Sequence, residues 1–202
     1  MSLPEHLILL HLDCKEVQVV LTHIRDNMRS SANQREYIRR RFQYADWRGH
    51  LISAIAMLLA DDRDSFPADD LWRAFDKGSW VAPQLAVTTF FLDKAFVEHA
   101  HTRIEARCPV AVPEGMSSVE RHVATGPSGE YGRSCKALSS LLTLLEYLPG
   151  QSEWVAAASQ QVDVKQMLTD DLDHAGEIAR LWHSNAVKQF ARLGIVLEPA
   201  AA

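Results

Sequence analysis

The sequence predicts an all-α protein, and three observations lead to that prediction. In most segments of the 202-residue chain, apolar residues recur at the three- and four-residue spacing of a helix. No segment sustains the two-residue alternation of a half-buried strand, and only two short stretches, 122–125 and 195–197, have any strand character. Hydrophobic residues make up 47% of the chain and charged residues 23%, a balance typical of globular proteins rather than disordered ones.

The first predicted helices lie before residue 61. The first of them has an apolar stripe along one face, which consists of Val17, Val20, Leu21, Ile24 and Met28. Asn33 and Glu36 have capping-box spacing and predict the start of a second helix, which extends through Phe42. Asp46 is the expected N-cap of a third helix over 47–60. Its second half is apolar almost all round, so we expect other elements to cover it on several sides.

The next three helices are predicted between residues 67 and 107. Pro67 is expected in the first turn of a short helix over 68–75, since the first turn tolerates a missing amide. A second heavily apolar helix is predicted over 80–92. Asp93 should cap an amphipathic helix that ends before Cys108 and Pro109, because the residue before a proline disfavours helical geometry.

A long irregular segment is expected at 108–133, where four glycines and three prolines occur. It separates an N-terminal from a C-terminal group of helices, within a single helical domain that we expect to span 1–202. Its glycine-rich part, 126–132, resembles a phosphate loop only in its glycines, so a surface loop is expected there. After it we predict a leucine-rich helix over 137–148, two short helices, and a last long helix over 173–193.

The heavily apolar helices recur along the chain. An offset of 32 residues superposes 54–61 on 86–93, where both stretches place apolar residues at matching positions and end in Asp. Each unit combines an apolar helix, an aspartate turn and an amphipathic helix. In this the chain resembles the HEAT-like α-solenoids, over 47–78, 80–107 and, less regularly, 134–161. The resemblance covers about half of the chain and implies antiparallel helix pairs stacked as a short solenoid. An irregular orthogonal helix bundle is the alternative.

The net charge and the cysteines limit the classes of binding partner and the cellular compartment that we expect. The net charge is −5, whereas residues 1–50 carry 8 basic and 6 acidic side chains, so a mildly basic N-terminal part adjoins an acidic remainder. Overall acidity disfavours a nucleic-acid binder that depends on neutralising phosphates. Three widely spaced cysteines without CxxC spacing favour a reducing cytoplasm. No apolar run approaches the roughly 20 residues of a membrane-spanning helix, so we expect no membrane partner.

Candidate catalytic and metal-binding patterns are weak. His101 and Glu105 have the four-residue spacing of metal ligands on a helix, but His99 would point about 200° away from His101. The acidic cluster at 170–173 precedes a helix, where carboxylates are favoured without any ligand. No serine or cysteine lies in a nucleophile signature. We therefore expect no catalytic residues, no metal and no cofactor.

The most distinctive charge feature is a set of arginines interleaved with aromatic residues near the N-terminus. As the candidate interaction surface, the sequence indicates Arg35, Arg39, Arg40, Trp47 and Arg48. Arginine and tryptophan in such a pattern suit the recognition of carboxylates or phosphates. The leading hypothesis is a non-enzymatic helical-repeat module, a scaffold or adaptor that binds another protein. The alternatives are a small helical nucleic-acid-binding module or enzyme that uses 35–47, and an acidic immunity-type inhibitor. The oligomeric state stays open.

Overall fold

The computed structural model describes residues 5–30, 34–43, 46–63, 66–110 and 133–200, and within them it contains helices and no strand. The all-α prediction is therefore confirmed, and 195–197 form no strand. In chain order the helices are α1 (Glu5–His11), α2 (Val17–Ser30), α3 (Gln34–Gln43), α4 (Trp47–Leu59), α5 (Ala68–Asp76), α6 (Ala82–Leu92), α7 (Phe96–Glu105), α8 (Cys135–Leu145), α9 (Ser152–Ser159), α10 (Val162–Thr169) and α11 (Ala175–Ala191).

Helix boundaries follow the predicted capping residues. Asp46 accepts a hydrogen bond of 3.1 Å from the amide of Arg48 at the start of α4. Asp93 Oδ1 accepts one of 3.0 Å from the amide of Ala95, just before α7. In the predicted capping cluster, Asp171 Oδ2 accepts a bond of 2.8 Å from Ala175, the first residue of α11. Side-chain acceptors thus satisfy amides that have no partner inside their helix.

The two heavily apolar helices form the middle of the structure. Helix α6 packs against α4, α5, α8 and α11, which explains why it is apolar all round. Phe90 of α6 is completely buried, with its ring edge-on to Phe96 of α7. The predicted stripe on α2 is buried in full. Burial of each large apolar side chain contributes roughly 1.5–3 kcal/mol, so this layer contributes substantially to the stability of the fold.

The most extensive helix pair is α8 with α11, and a glycine allows their close approach. A Cβ at Gly176 would lie 2.6 Å from Thr143 Oγ1 and 2.8 Å from Ser139 Oγ. Instead, the Gly176 amide donates a hydrogen bond of 3.0 Å to Ser139 Oγ. The two backbones can therefore meet only because position 176 has no side chain.

Helix α1 is held by side chains of α6 and α11. Four successive carbonyl groups, Leu9 to Leu12, accept hydrogen bonds at the C-terminal end of α1, where intrahelical partners run out. Their donors are, in order, Trp182 Nε1 (3.1 Å), Gln84 Nε2 (3.0 Å), Asn185 Nδ2 (2.8 Å) and Gln189 Nε2 (3.1 Å). The first helix is thereby fixed to the last one.

The predicted repeat units correspond to α4 with α5, α6 with α7, and α8 with α9. Helices α4, α6 and α8 lie side by side in that order, as stacked units require. Helix α11 then packs across α6, α8 and α1, which joins the end of the described chain to its beginning. The HEAT-like resemblance, and the choice between a solenoid and an irregular bundle, stay predictions.

The ends of the predicted irregular segment lie together. The amide of Ser134 donates a hydrogen bond of 3.0 Å to the carbonyl of Cys108, and Pro109 forms an antiparallel bridge with Arg133. Residues 111–132, with the predicted glycine-rich loop at 126–132, lie outside the described residues. The helix-start prediction at Asn33 also falls outside them.

Candidate functional site

Rings from α1, α4 and the turn before α6 meet on the surface. The rings of Trp47 and Trp80 are edge-to-face with centroids 4.7 Å apart, and His6 approaches Trp47 edge-on at 5.5 Å. The guanidinium carbon of Arg48 lies 4.6 Å from the centroid of the Trp47 ring. Trp80 is 42% exposed, a large fraction for a tryptophan that already packs on another ring. We call His6, Trp47, Arg48 and Trp80 the Trp47 patch.

Local sequence explains why these side chains converge. The Asp46 cap fixes the start of α4, so Trp47 and Arg48 are its first two residues. Gly78, with a φ of 72°, reverses the chain after α5 and delivers Trp80 to the turn before α6. His6 arrives on α1, whose position depends on the hydrogen bonds from α6 and α11. Three separate parts of the fold therefore carry the patch.

The structure brings together two of the five residues of the predicted interaction surface, Trp47 and Arg48. Arg39 lies on α3 with its Nε 4.0 Å from Asp70 of α5, and Arg40 Nε lies 2.7 Å from Glu36 on its own helix. Arg35 belongs to α3, but its side chain lies outside the described residues.

Sequence reasoning missed Trp80 and His6 as members of the patch. A signal for Trp80 was present, because the repeat units at 47–78 and 80–107 both begin with a tryptophan. Stacked units place equivalent positions next to each other, and the offset of 32 matches position 47 with position 79, one residue before Trp80. No comparable signal identified His6, because its contact depends on how α1 docks.

A cleft of about 190 Å³ opens beside Trp80. We call it the Lys136 cleft, and its lining consists of Leu10, His11, Trp80, Val81, Pro83, Gln84, Lys136, Asp173, Ala175 and Ile178. Lys136 is mostly buried, with 11% of its side chain exposed, and its Nζ lies 2.6 Å from Asp173 Oδ2. Asp173 itself is 52% exposed. Because Trp80 belongs to both groups, the cleft and the Trp47 patch form one continuous surface.

The electrostatics of the cleft favour an anion. The first turns of α6, α8 and α11 contribute Pro83, Lys136 and Ala175 to its walls. Helix N-termini carry partial positive charge, and here Lys136 adds a full charge that the exposed Asp173 balances at 2.6 Å. The side-chain amide nitrogen of Gln84 donates to the Leu10 carbonyl, and the charged or titratable side chains that line the cleft are His11, Lys136 and Asp173.

A second polar cluster surrounds Asp93. Asp93 Oδ2 accepts a hydrogen bond of 2.6 Å from Trp72 Nε1 and lies 2.6 Å from Nδ1 of the half-buried His99. The guanidinium of Arg103 stacks over Trp72 at 4.0 Å and binds Asp76 through two hydrogen bonds of 2.8 Å. Through its contacts with Trp72 and His99, Asp93 joins α5 to α7.

His101, whose spacing from Glu105 suggested a metal ligand, contacts other side chains instead. Its ring stacks on Trp154 with centroids 3.7 Å apart, and its Nε2 lies 2.8 Å from Gln151 Oε1. In the described part of the chain, no three His, Cys, Asp or Glu side chains are grouped so that they could hold a metal ion. Burial raises the pKa of the Cys108 thiol, which disfavours its nucleophilic thiolate form.

Comparison of the chain with protein-family models, curated proteins and solved structures finds no match. Among the described helices, none is long and apolar enough to cross a membrane.

Proposed function

We propose that this protein is a non-enzymatic helical interaction module that binds a partner protein through the Trp47 patch. The observation that carries the proposal is the exposed Trp80, edge-to-face with Trp47 beside the stacked Arg48. Tryptophan and arginine are the residues most enriched among those that dominate protein–protein binding energy. The patch residues lie at the starts of α1 and α4 and in the turn before α6, and the packing of Trp80 on Trp47 orients both rings before a partner arrives.

The chemistry of the patch favours an apolar segment flanked by a carboxylate. Trp80 offers an aromatic face, and the half-exposed Arg48 offers a cation on the basic N-terminal part of an otherwise acidic chain. A partner with an aliphatic or aromatic side chain next to Asp or Glu would satisfy both groups.

A protein partner fits the described arginines better than nucleic acid does. Arg39, Arg40 and Arg48 each have a carboxylate oxygen of this chain within 4.0 Å. Internal carboxylates compete with any external anion for these arginines. The competition matters most for a nucleic-acid binder, whose affinity depends on phosphate contacts, whereas a protein partner also gains from contact with Trp80. We place the module in the reducing cytoplasm, where the thiols of Cys14, Cys108 and Cys135, none of which is in a disulfide, are stable.

The test compares two exposed aromatic residues. Affinity capture from native lysate is carried out with the wild-type protein, with Trp80→Ala and with Tyr147→Ala as the matched control. Tyr147 is 44% exposed, close to Trp80 at 42%, but lies at the end of α8 outside the Trp47 patch. We expect Trp80→Ala to lose a partner that both other proteins retain.

The captured partner is then purified and its affinity measured by titration calorimetry. Removal of a central tryptophan should weaken binding by about thirtyfold or more, as expected for a dominant contact residue. If every captured protein binds Trp80→Ala as well as the wild type, the Trp47 patch is not the interaction surface.

A further inference from the structure

Lys136 and Asp173 form an unequal pair in the Lys136 cleft. The lysine side chain is 11% exposed and is fixed among cleft residues, whereas the aspartate is 52% exposed and reaches in from the solvent side. A buried ammonium group requires a counter-ion, but an exposed carboxylate gains little from remaining in one place. Asp173 is therefore a replaceable partner of Lys136.

The remaining walls are suited to an apolar group. Leu10, Trp80, Pro83 and Ile178 surround the cleft, which has a volume of about 190 Å³. An engineered cavity of roughly 150 Å³ in another protein binds benzene, so one ring or one branched side chain fits this space. The ligand that matches both features carries a single carboxylate on a small apolar body.

We propose that the Lys136 cleft binds the C-terminal residue of a partner polypeptide. The terminal carboxylate takes the place of Asp173 on Lys136 Nζ, and the last side chain packs against the apolar walls. Asp173 then turns into solvent, and the lysine keeps one counter-ion throughout. The carboxylate also approaches the first turns of α6, α8 and α11, whose dipoles favour negative charge.

The choice of a chain end rests on the proposed function, because the cleft continues into the Trp47 patch. Trp80 lines the cleft and also packs against Trp47. Residues that precede a bound C-terminus would leave the cleft over Trp80 and meet Arg48. A free acid of one residue would leave this second surface uncovered.

The experiment measures the binding of four probes by titration calorimetry. Two are N-acetyl-leucine and its amide, and two are pools of random heptapeptides that end in leucine, with a free carboxylate or a terminal amide. A charge-assisted hydrogen bond in a mostly buried site should make each acid bind at least about tenfold more tightly than its amide. Equal binding of acid and amide would overturn the proposal. So would equal affinity for the single residue and the peptide pool.

Two variants give opposite expectations. Lys136→Met keeps the apolar stem and removes the charge, so the acid should bind no better than the amide. Asp173→Asn removes the competing carboxylate, so the acid should bind severalfold more tightly than it does to the wild type. If the ion pair had only a structural role, both substitutions would weaken acid binding alike. Weaker acid binding to a folded Asp173→Asn protein would contradict the replacement of Asp173 by the ligand carboxylate. Because Asp173 is half exposed, this variant tests the proposal even if Lys136→Met does not fold.

The two proposals can fail separately. A partner lost by Trp80→Ala but retained at full affinity by Lys136→Met leaves the interaction module in place and removes the C-terminal pocket. The opposite outcome is acid-selective binding that depends on Lys136 together with an unchanged capture profile for Trp80→Ala. That result would keep the C-terminal pocket and remove the interaction module.

Discussion

The indole nitrogen of Trp182 in α11 donates a hydrogen bond of 3.1 Å to the carbonyl oxygen of Leu9 in α1. Both residues are buried, so water cannot replace either partner. Helix α1 has seven residues, far fewer than an isolated helix needs to be stable in water. Its position, and that of His6 in the Trp47 patch, therefore depends on contacts made by the opposite end of the chain.

Trp182→Phe should lower the free energy of unfolding by about 1–3 kcal/mol, because the ring is largely kept while a buried carbonyl loses its donor. Urea denaturation followed by circular dichroism measures the change. Trp154→Phe is the control, because the Trp154 indole nitrogen makes no hydrogen bond to any described residue. Losses of the same size in both variants would attribute the effect to ring size rather than to the bond with Leu9.

Two helical glycines should respond in opposite ways to alanine. Gly176→Ala brings a Cβ within 2.6 Å of Thr143 Oγ1 between α8 and α11, so we expect a net loss of about 1 kcal/mol or more. A Cβ at Gly49 would have Arg41 O as its nearest neighbour, at 3.5 Å. Gly49→Ala should therefore gain roughly 0.5–1 kcal/mol from helix propensity. Thermal unfolding of both variants tests the pair, and a stabilised Gly176→Ala would show that the helices can separate at little cost.

Arg103→Lys should destabilise the protein by about 1–2 kcal/mol, because lysine cannot reproduce the two-bond contact with Asp76 or the stacking on Trp72. Arg29 makes a similar two-bond contact with Asp61, but there both side chains are largely exposed. Arg29→Lys should leave the urea midpoint unchanged. If the two substitutions have equal effects, the shielded position of Arg103, which is only 18% exposed, does not matter.

His183 should make stability depend on pH. Its ring lies between Tyr147 and Phe91, with centroids 4.6 Å and 5.1 Å away, and desolvation lowers its pKa below the usual value near 6.5. As the pH falls, the unfolded chain takes up this proton first. The stabilisation is therefore complete above about pH 6.5 and is lost as the pH falls from there towards the folded-state pKa.

Unfolding free energies at pH 7.5 and 5.5 test this dependence. The difference between them should be smaller in His183→Gln, which cannot be protonated, than in the wild type. A chemical-shift titration of the His183 ring supplies the second reading. A midpoint at or above 6.5 would contradict the desolvation effect.

The sequence predicted those features of the fold that are determined locally. The stripe on α2 and the cap at Asp46 depend on neighbours within four residues, and each lies where it was expected. Asp93 was expected to cap α7, but Ala95 is the N-cap residue and Asp93 accepts a hydrogen bond from its amide. The almost uniformly apolar character of α6 also predicted correctly that several helices would cover it. Spacing along one helix could not predict that Gly176 would determine the approach of α8 and α11.

The candidate site was predictable only where it depends on one segment. Trp47 and Arg48 are adjacent, so their contact follows from the start of α4. Lys136 and Asp173 are 37 positions apart and pair only because α8 and α11 pack together. Capping was predicted for the whole acidic cluster at 170–173, and within it Asp171 accepts from the Ala175 amide whereas Asp173 pairs with Lys136.

The hydrogen bond between Ser134 and Cys108 has a practical consequence for building on this fold. Because Cys108 and Pro109 are held against Ser134 and Arg133, a change in the length of the sequence between 110 and 133 should leave α7 in place beside α8. A fluorescent reporter domain inserted between these positions, with flexible flanks, would be attached at both ends to a single spot on the surface. Lys136 on α8 and Trp80 in the turn before α6 would keep their positions, so binding could be followed from within an intact host.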